Sequence, residues 1–357
     1  MRETRRAACV FRPTCPWGLT MASDAEYRAA ADALRRAGSV ALTTHVKPDA
    51  DGLGSTAALR RWLLDAGKTA DVIVPTPAPA KYGFLDPDGA VKVAGRDVDL
   101  SAIEAPDLVV VSDTATWQQL DGMQPLVAES GAPVLVIDHH RTVDPLADMT
   151  LVDIDAAATV VIVHRLLTEL GAAIDSLTAG YLFAGLAGDT DWFRLPNVTP
   201  ETYRLAASLV EAGANPTEIH ASMHLSDGLP KLRLWGRAVE TLHPALGDRV
   251  MVMHLTRAMF RETGADIGDT ENLINECMRV RGTRVGVMLV ETEGDEVRVS
   301  LRCTPGTNIL KVAEQFGGGG HIRAAGARDT GPLDQVEARV LAAVENALAD
   351  AEPSEKP

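Results

Sequence analysis

The segment Pro133-Val134-Leu135-Val136-Ile137-Asp138-His139-His140 joins an apolar run directly to one carboxylate and two imidazoles. A short apolar run that ends in polar residues is typical of a buried strand in a parallel sheet. Open α/β sheets bind their ligands at the carboxyl ends of such strands. The segment therefore predicts an α/β fold with a functional site where this strand ends.

Two further apolar runs end in side chains that commonly bind metals. The run at residues 40–44 is followed by His45, Asp49 and Asp51. The run at residues 108–112 is followed by Asp113. Because the carboxyl ends of parallel strands meet at one edge of a sheet, we expect these side chains to converge. The three strand ends together predict a metal site.

Apolar strands alternate with helical patterns from about residue 24 to residue 213, which predicts a doubly wound, mainly parallel sheet. The predicted strands are Val40–Thr44, Asp71–Val74, Leu108–Ser112, Val134–Ile137 and Thr150–Val152. The predicted helices are Ala25–Ala37, Gly54–Ala66, Ala157–Leu170, Ser176–Ala187 and Pro200–Ala212. A smaller α/β domain follows, with predicted strands Val250–His254, Val285–Glu291 and Val297–Arg302.

The chain is predicted to divide into five segments. They are a disordered leader at 1–23, a catalytic domain at 24–215, a helical connector at 216–245, a substrate-binding domain at 246–349 and a disordered tail at 350–357. The Arg-rich leader lacks the apolar core of a signal peptide, and Met21 is an alternative start.

Composition limits the classes of partner. The formal net charge of −15 and the 4% aromatic content argue against binding of long nucleic acid, which needs basic and stacking surfaces. No apolar run is long enough to span a bilayer, and the four cysteines form no CxxC motif. We therefore expect a cytoplasmic protein with reduced thiols and a small, phosphorylated substrate.

The polar residues at the predicted strand ends, with an acidic loop further along, make up a ligand inventory for two divalent cations. They are the carboxylates of Asp49, Asp51, Asp113 and Asp189 and the imidazoles of His45 and His139. An oxygen-rich set suits Mn²⁺ or Mg²⁺ better than zinc. The alternative is that the single aspartates cap helices, which short Asp-rich loops often do.

A second candidate site lies in the run Gly317-Gly318-Gly319-Gly320-His321. Glycines allow close backbone approach, and the amides before a predicted following helix would hold an anion. The alternative is a flexible linker. Arg302 ends a strand just upstream and could bind phosphate with two hydrogen bonds.

Other histidines are predicted to have structural or solvent-facing roles. His220 and His224 are four residues apart on a helix but lack the neighbouring Glu of a zinc peptidase. His164, His243 and His254 are interpreted as ordinary structural residues. Ser55 lacks the Gly-x-Ser-x-Gly elbow, so a serine hydrolase is not supported.

The motifs taken together resemble those of DHH phosphoesterases. The matching residues are His45-x-x-x-Asp49-x-Asp51, Asp113, Asp138-His139-His140 and Asp189-Thr190. The Gly317–His321 run resembles the signature of a DHHA1 domain. Length and domain order are similar to the bifunctional oligoribonuclease and pAp phosphatase branch, the nanoRNases, and this resemblance implies a homodimer.

The resemblance also implies an activity and a role for each site residue. The expected activity is Mn²⁺-dependent, two-metal hydrolysis of very short RNA, of linear or cyclic dinucleotides including di-AMP, or of pAp. One metal would be held by His45, Asp49 and Asp113, and the other by Asp51, Asp113, His139 and Asp189. His140 would contact the phosphate or assist proton transfer, with Asp138 fixing the orientation of a neighbouring histidine. Substrate would be held by Arg302, Gly317, Gly318, Gly319, Gly320 and His321.

Three residues depart from the family pattern, and rival functions remain. Ala50 and Asp191 replace usual glycines, and Cys303 replaces a frequent serine that could bind phosphate.

One rival is a single-strand exonuclease of the same superfamily, which the acidic charge disfavours. A superfamily pyrophosphatase would lack the Gly-rich run. The rival from another class is a non-catalytic nucleotide sensor, although no expected ligand is missing.

Overall fold

The computed structural model describes residues 22–351, and the chain separates into two compact units, Met1–Ser226 and Asp227–Pro357. The predicted leader and tail lie outside the described residues, apart from their inner ends. Ser23 caps the first helix, and the last helix reaches Ala351. Within the described range, no helix is both long and apolar enough to cross a membrane.

The first unit alternates strands and helices in the predicted manner. Its strands are β1 (Ser39–Thr43), β2 (Thr69–Val74), β3 (Val91–Val93), β4 (Leu108–Ser112), β5 (Val134–Asp138) and β6 (Met149–Val152). Its helices are α1 (Asp24–Arg36), α2 (Ala50–Asp65), α3 (Gln124–Val127), α4 (Thr159–Glu169), α5 (Ser176–Asp189), α6 (Pro200–Glu211) and α7 (Pro216–His224). Short 3₁₀ turns lie at Ala80–Leu85, Leu100–Ala102 and Trp117–Gln119.

The six strands of this unit form one parallel sheet in the order β3-β2-β1-β4-β5-β6. Every residue of β4 and β5 is buried, as expected for strands covered on both faces. One apolar cluster contains Leu42, Val110 and Ile137, and a second contains Val109 and Val136 from the same strands. The prediction of a doubly wound parallel sheet is confirmed.

The second unit is a smaller α/β structure built on a mixed sheet. Its strands are β7 (His243–Ala245), β8 (Val250–Leu255), β9 (Val285–Glu291), β10 (Glu296–Cys303), β11 (Gly319–His321) and β12 (Ala324–Thr330). Its helices are α8 (Leu229–Glu240), α9 (Arg257–Thr263), α10 (Asn275–Met278), α11 (Leu310–Gln315) and α12 (Leu333–Ala351), with a 3₁₀ turn at Ile267–Thr270. The strand order is β11-β12-β10-β9-β8-β7.

The Gly-rich run does not precede a helix, and that prediction was wrong. Gly319–His321 forms β11, which pairs antiparallel with the first residues of β12. The small residues Ala324-Ala325-Gly326 pair with β10 as well, so the sheet context overrides their helical composition. Gly319 and Gly320 therefore belong to a strand at the edge of the sheet, whereas the Gly317 and Gly318 amides donate to the carbonyls of Glu314 (3.1 Å) and Ala313 (2.9 Å) at the end of α11.

Candidate metal centre

The candidate centre lies at the carboxyl ends of β1, β4 and β5. The chain runs outward from β1 through β2 and β3, then returns to β4 on the other side of β1. This reversal of strand order leaves a crevice at the strand ends, where α/β sheets bind ligands. The predicted convergence of polar side chains at this edge is what the structure shows.

The loop between β1 and α2 positions two carboxylates differently. Asp49 is the N-cap of α2, and its Oδ1 accepts hydrogen bonds from the amides of Asp51 (3.0 Å) and Gly52 (3.1 Å). Asp51 is buried in the first turn, where its oxygens accept from the amides of Thr159 (2.6 Å) and Val160 (2.9 Å). The capping alternative is therefore true of Asp49, but a cap oxygen can still bind a cation.

Asp113 lies at the middle of the cluster. It follows β4 in a left-handed backbone conformation (φ 64°) and is 3% exposed. Its Oδ2 is 3.4 Å from His45 Nε2, and its Oδ1 is 3.7 Å from His139 Nε2. The Thr159 hydroxyl donates to Oδ1 at 2.9 Å. Its two oxygens therefore face different imidazoles, and each oxygen could hold a cation.

The two candidate histidine ligands have the environment that metal-binding imidazoles usually have. His45 Nδ1 lies 2.9 Å from the Val46 carbonyl and His139 Nδ1 lies 3.2 Å from the Ala156 carbonyl, so each Nδ1–H can donate there. This arrangement directs Nε2 of each ring toward the carboxylates, where loss of the proton on Nε2 would make its lone pair available to a cation. His139 Nε2 is buried without a hydrogen bond among the described residues, although Asp189 Oδ2 is 3.0 Å away.

Asp138 organises the end of β5 from a fully buried position. Its Oδ1 accepts from the amides of His139 (2.8 Å) and His140 (3.1 Å) and lies 2.8 Å from His140 Nδ1. The His140 side chain is 57% exposed and 3.9 Å from Asp113 Oδ1. Asp138 thus holds a solvent-facing imidazole beside the cluster.

The ligand-type atoms of this centre fall into three groups, each with its atoms within 4.8 Å of one another, and the group of Asp113, His139 and His140 shares one residue with each of the other two. One of those two is His45, Asp49 and Asp113, and the other is Asp51, His139 and Asp189. Carboxylates with one imidazole in each of those two groups fit Mn²⁺ or Mg²⁺ in donor type. Asp113 is within reach of both groups, as the distances above show.

Electrostatics shows that the cluster holds protons when no cation is present. Burial lowers the pKa of His45, but hydrogen bonds and charges from Asp113 and Asp49 outweigh it and raise that pKa to about 11. Burial also lowers the pKa of His139, but the hydrogen bond and charge of Asp189 outweigh burial and raise that pKa to about 9. Burial, with the charges of Asp113 and Asp189, raises the pKa of Asp51 well above its ordinary value. Packed carboxylates of this kind need a compensating positive charge.

Sequence reasoning missed a strained segment directly after Asp189. Asp191, Trp192 and Phe193 all have left-handed backbone conformations (φ 47°, 55° and 64°). Left-handed non-glycine residues in succession are costly and cluster at functional sites. Asp191 stands where the family usually has a glycine and so adds a negative charge. Its carboxylate pairs with Arg194, which offsets that charge.

In the second unit, the register brings Arg302 and His321 to one face of the sheet. Arg302 of β10 and His321 of β11 both pair with Ala324 of β12, so their side chains flank that small residue. Of the described residues, only the Leu301 carbonyl hydrogen-bonds the Arg302 guanidinium (3.3 Å). Cys303 points to the opposite face, where it is buried with its thiol near the Thr307 carbonyl.

The chain belongs to the DHH/DHHA1 family of phosphoesterases. It matches the DHH family, N-terminal domain, over residues 39–186 and the DHHA1 domain over residues 247–350. The family inferred from the motifs is thus confirmed.

Curated relatives refine this assignment. The chain is 31% identical to the bifunctional oligoribonuclease and PAP phosphatase NrnA of Thermus thermophilus, over 87% of this chain and 90% of that protein. The protein of that name from Bacillus subtilis is 28% identical, over 81% and 88%. An exopolyphosphatase-related protein of Bacteroides fragilis shares the fold, with a TM-score of 0.87 at 22% identity, over 93% of this chain and 99% of that chain.

Proposed function

We propose that this protein is a metal-dependent phosphoesterase that hydrolyses very short RNA and dinucleotides to mononucleotides, and pAp to AMP. The observation that carries the proposal is the pair of ligand groups around Asp113 at the reversal point of the parallel sheet. The names of the Thermus and Bacillus relatives support the substrate class. Cyclic di-AMP is included because it presents the same phosphodiester chemistry.

Two divalent cations, with Mn²⁺ preferred over Mg²⁺, fit the donor set. His45, Asp49 and Asp113 would hold one cation, and Asp51, Asp113, His139 and Asp189 would hold the other. When bound, such cations lower the pKa of a water molecule and stabilise the charge that develops on a phosphoryl group. The protein's contribution is to fix the positions of these side chains. Backbone amides donate hydrogen bonds to Asp51, and backbone carbonyls accept hydrogen bonds from the imidazoles.

His140 is the group that would contact the reacting phosphate or transfer a proton. Its imidazole is exposed, close to Asp113, and oriented by Asp138. The Asp138 hydrogen bond raises the pKa of His140, which favours the protonated ring. A protonated imidazole can donate to a phosphate oxygen or to a leaving oxygen.

The second unit would bind the rest of the substrate through Arg302, His321 and the amides of Gly319 and Gly320, since the amides of Gly317 and Gly318 already donate to carbonyls of α11. The Arg302 guanidinium has donors available for a bidentate phosphate contact. An edge strand of glycines offers backbone amides with no side chains to block them.

The proposal is tested by incubating the protein with pApA, pAp and cyclic di-AMP, with and without Mn²⁺, and resolving the products by chromatography. Production of mononucleotide that requires the cation, at relative rates that rank the three substrates, is the expected result. Binding of these nucleotides without turnover would instead identify a sensor. Faster degradation of a long single strand would identify an exonuclease.

We also propose a cytoplasmic homodimer. Cys277 and Cys303 are free, buried thiols, as expected for a reducing compartment. Light scattering of the purified chain gives its mass in solution, and a monomer at the concentrations of the activity assay would contradict the dimer.

A further inference from the structure

A second group of metal-ligating side chains lies within the second unit, apart from the residues assigned above. It consists of His243 on β7, His254 on β8 and Glu337 on α12. One ligand atom from each lies within 4.8 Å of the other two. The sequence-based interpretation of the two histidines as ordinary structural residues did not anticipate this cluster.

The fold brings these three residues together by register. His243 pairs with Val252, so His254, two residues further along β8, is a diagonal neighbour on the same face. Val250 and Val252 on that face share an apolar cluster with Val336 of α12, which places the adjacent Glu337 beside the strands. The three side chains are therefore held by strand pairing and core packing.

Hydrogen bonds fix the backbone and the ring around this site. The Thr241 hydroxyl accepts from the His254 amide (2.8 Å) and lies 3.1 Å from the His254 carbonyl. His243 Nδ1 is 3.0 Å from the Thr241 carbonyl, so its N–H can donate there. That contact directs His243 Nε2 toward the carboxylate, which is the usual orientation of a ligating imidazole.

Both imidazoles meet the same carboxylate, one at each oxygen. His243 Nε2 is 2.9 Å from Oε1 of Glu337, and His254 Nε2 is 2.6 Å from Oε2. His254 Nε2 is inaccessible to solvent and makes no hydrogen bond within the described residues despite this short separation. The contact of His243 with Glu337 is a hydrogen bond, whereas the closer contact of His254 is not aligned for one, and a cation bound by all three side chains would give the His254 nitrogen the partner it lacks.

We propose that His243, His254 and Glu337 form a binding site for a zinc-type divalent cation. Two imidazoles and a carboxylate are a donor set that Zn²⁺ accepts in tetrahedral geometry, with a fourth position left to water. The His243 side chain is 40% exposed, so an ion from solution can enter. The ion would tie the β7–β8 hairpin to α12 and stabilise the second unit. This site is independent of the proposed hydrolysis.

The test measures zinc content in chains that all carry Asp113→Asn, which weakens the first centre. After equilibrium dialysis against buffered Zn²⁺, elemental analysis should find one more zinc per chain in this parent than in the same chain with Glu337→Gln. The matched control is Glu345→Gln, an exposed glutamate on the same helix, which should retain the parent's zinc content.

Thermal unfolding supplies a readout that does not depend on activity. Added Zn²⁺ should raise the Tm of the parent and of the Glu345→Gln chain, with a smaller rise for Glu337→Gln, because an ion that binds only the folded state stabilises it. If Glu337→Gln does not fold, His243→Gln replaces it, since that side chain is more exposed. Equal zinc content and equal Tm shifts in all folded variants would overturn the proposal.

Discussion

Asp113 carries the largest share of the proposed mechanism among single residues. Its carboxylate faces one imidazole with each oxygen, and burial raises its pKa. A buried carboxylate of this kind is unfavourable for stability unless a cation compensates it. We infer that the residue is retained at a cost in stability because of what it binds.

Substitution of Asp113 by Asn should separate function from folding. Asn also tolerates a positive φ and removes the buried charge, so we expect the Tm of the metal-free protein to be unchanged or higher. Hydrolysis of pApA in Mn²⁺ should fall by at least about 100-fold, since even residues that only orient ligands contribute 10- to 100-fold. The control is the exposed Asp121→Asn, and activity equal to that control would contradict a bridging role.

Metal binding should release protons. With pKa values of about 11 and 9, His45 and His139 are charged at pH 7 in the metal-free protein, and both must lose a proton to bind a cation. Affinity for Mn²⁺ should therefore fall as pH is lowered. Calorimetric titration at one pH in two buffers of different ionisation enthalpy measures this release. Identical heats in the two buffers would mean that no protons are displaced.

At the scale of secondary structure, the contact between α2 and α5 positions the centre. These helices carry Asp51 and Asp189, and they are in close contact at Gly54. A Cβ at Gly54 would lie 2.5 Å from the Tyr181 carbonyl oxygen, which is backbone and cannot move aside alone. The glycine therefore allows the two helices that carry these acidic residues to pack closely.

Gly54→Ala should destabilise the protein and weaken its metal binding together. We expect the free energy of unfolding to fall by about 1–3 kcal/mol, the usual cost of overpacking. The matched control is Gly180→Ala in α5, where an added Cβ meets nothing within 4 Å. Because alanine favours the helix over glycine, this substitution should stabilise the protein by about 1 kcal/mol or less. Denaturant unfolding of both variants measures the difference, and equal stabilities would contradict the close-packing argument.

The sequence predicted the elements whose patterns are local. Leu108–Ser112 and Val285–Glu291 were predicted with the bounds observed, because continuous apolar runs ending at polar residues mark buried strands. Helix α2 begins four residues earlier than predicted, since Asp49 caps it and the glycines at 52 and 54 are helical. The short strand β3 had no comparable pattern and was missed.

What the sequence could not supply depends on contacts between distant segments. The Gly-rich run became an edge strand because β12 pairs with it, not because of its own composition. The cluster of His243 and Glu337 joins residues 94 positions apart, which no local spacing reveals. The conformations of residues 191–193 are equally unmarked by residue type.

At the scale of the whole molecule, we propose that the first unit binds the catalytic manganese and that the second unit binds part of the substrate. The two units have separate apolar cores. We therefore expect substitutions at the proposed hydrolytic site to sort by unit: those in the first change manganese content, and those near Arg302 in the second change substrate affinity.

Arg302→Ala tests that division. Loss of a charged hydrogen bond to phosphate should raise the KM for pAp by about 10- to 100-fold, while manganese content and kcat stay close to those of the unmodified chain. Arg328→Ala in β12 is the control, because that exposed arginine is paired with Glu296. A fall in kcat with unchanged KM would show that Arg302 acts in another way.

The most direct test of the two-metal claim is anomalous diffraction at the manganese edge from crystals of the full chain grown with Mn²⁺. We expect two anomalous peaks in the first unit, one beside His45 and Asp49 and one beside Asp51, His139 and Asp189, with Asp113 in contact with both. A single peak, or none at these residues, would contradict the two-metal claim.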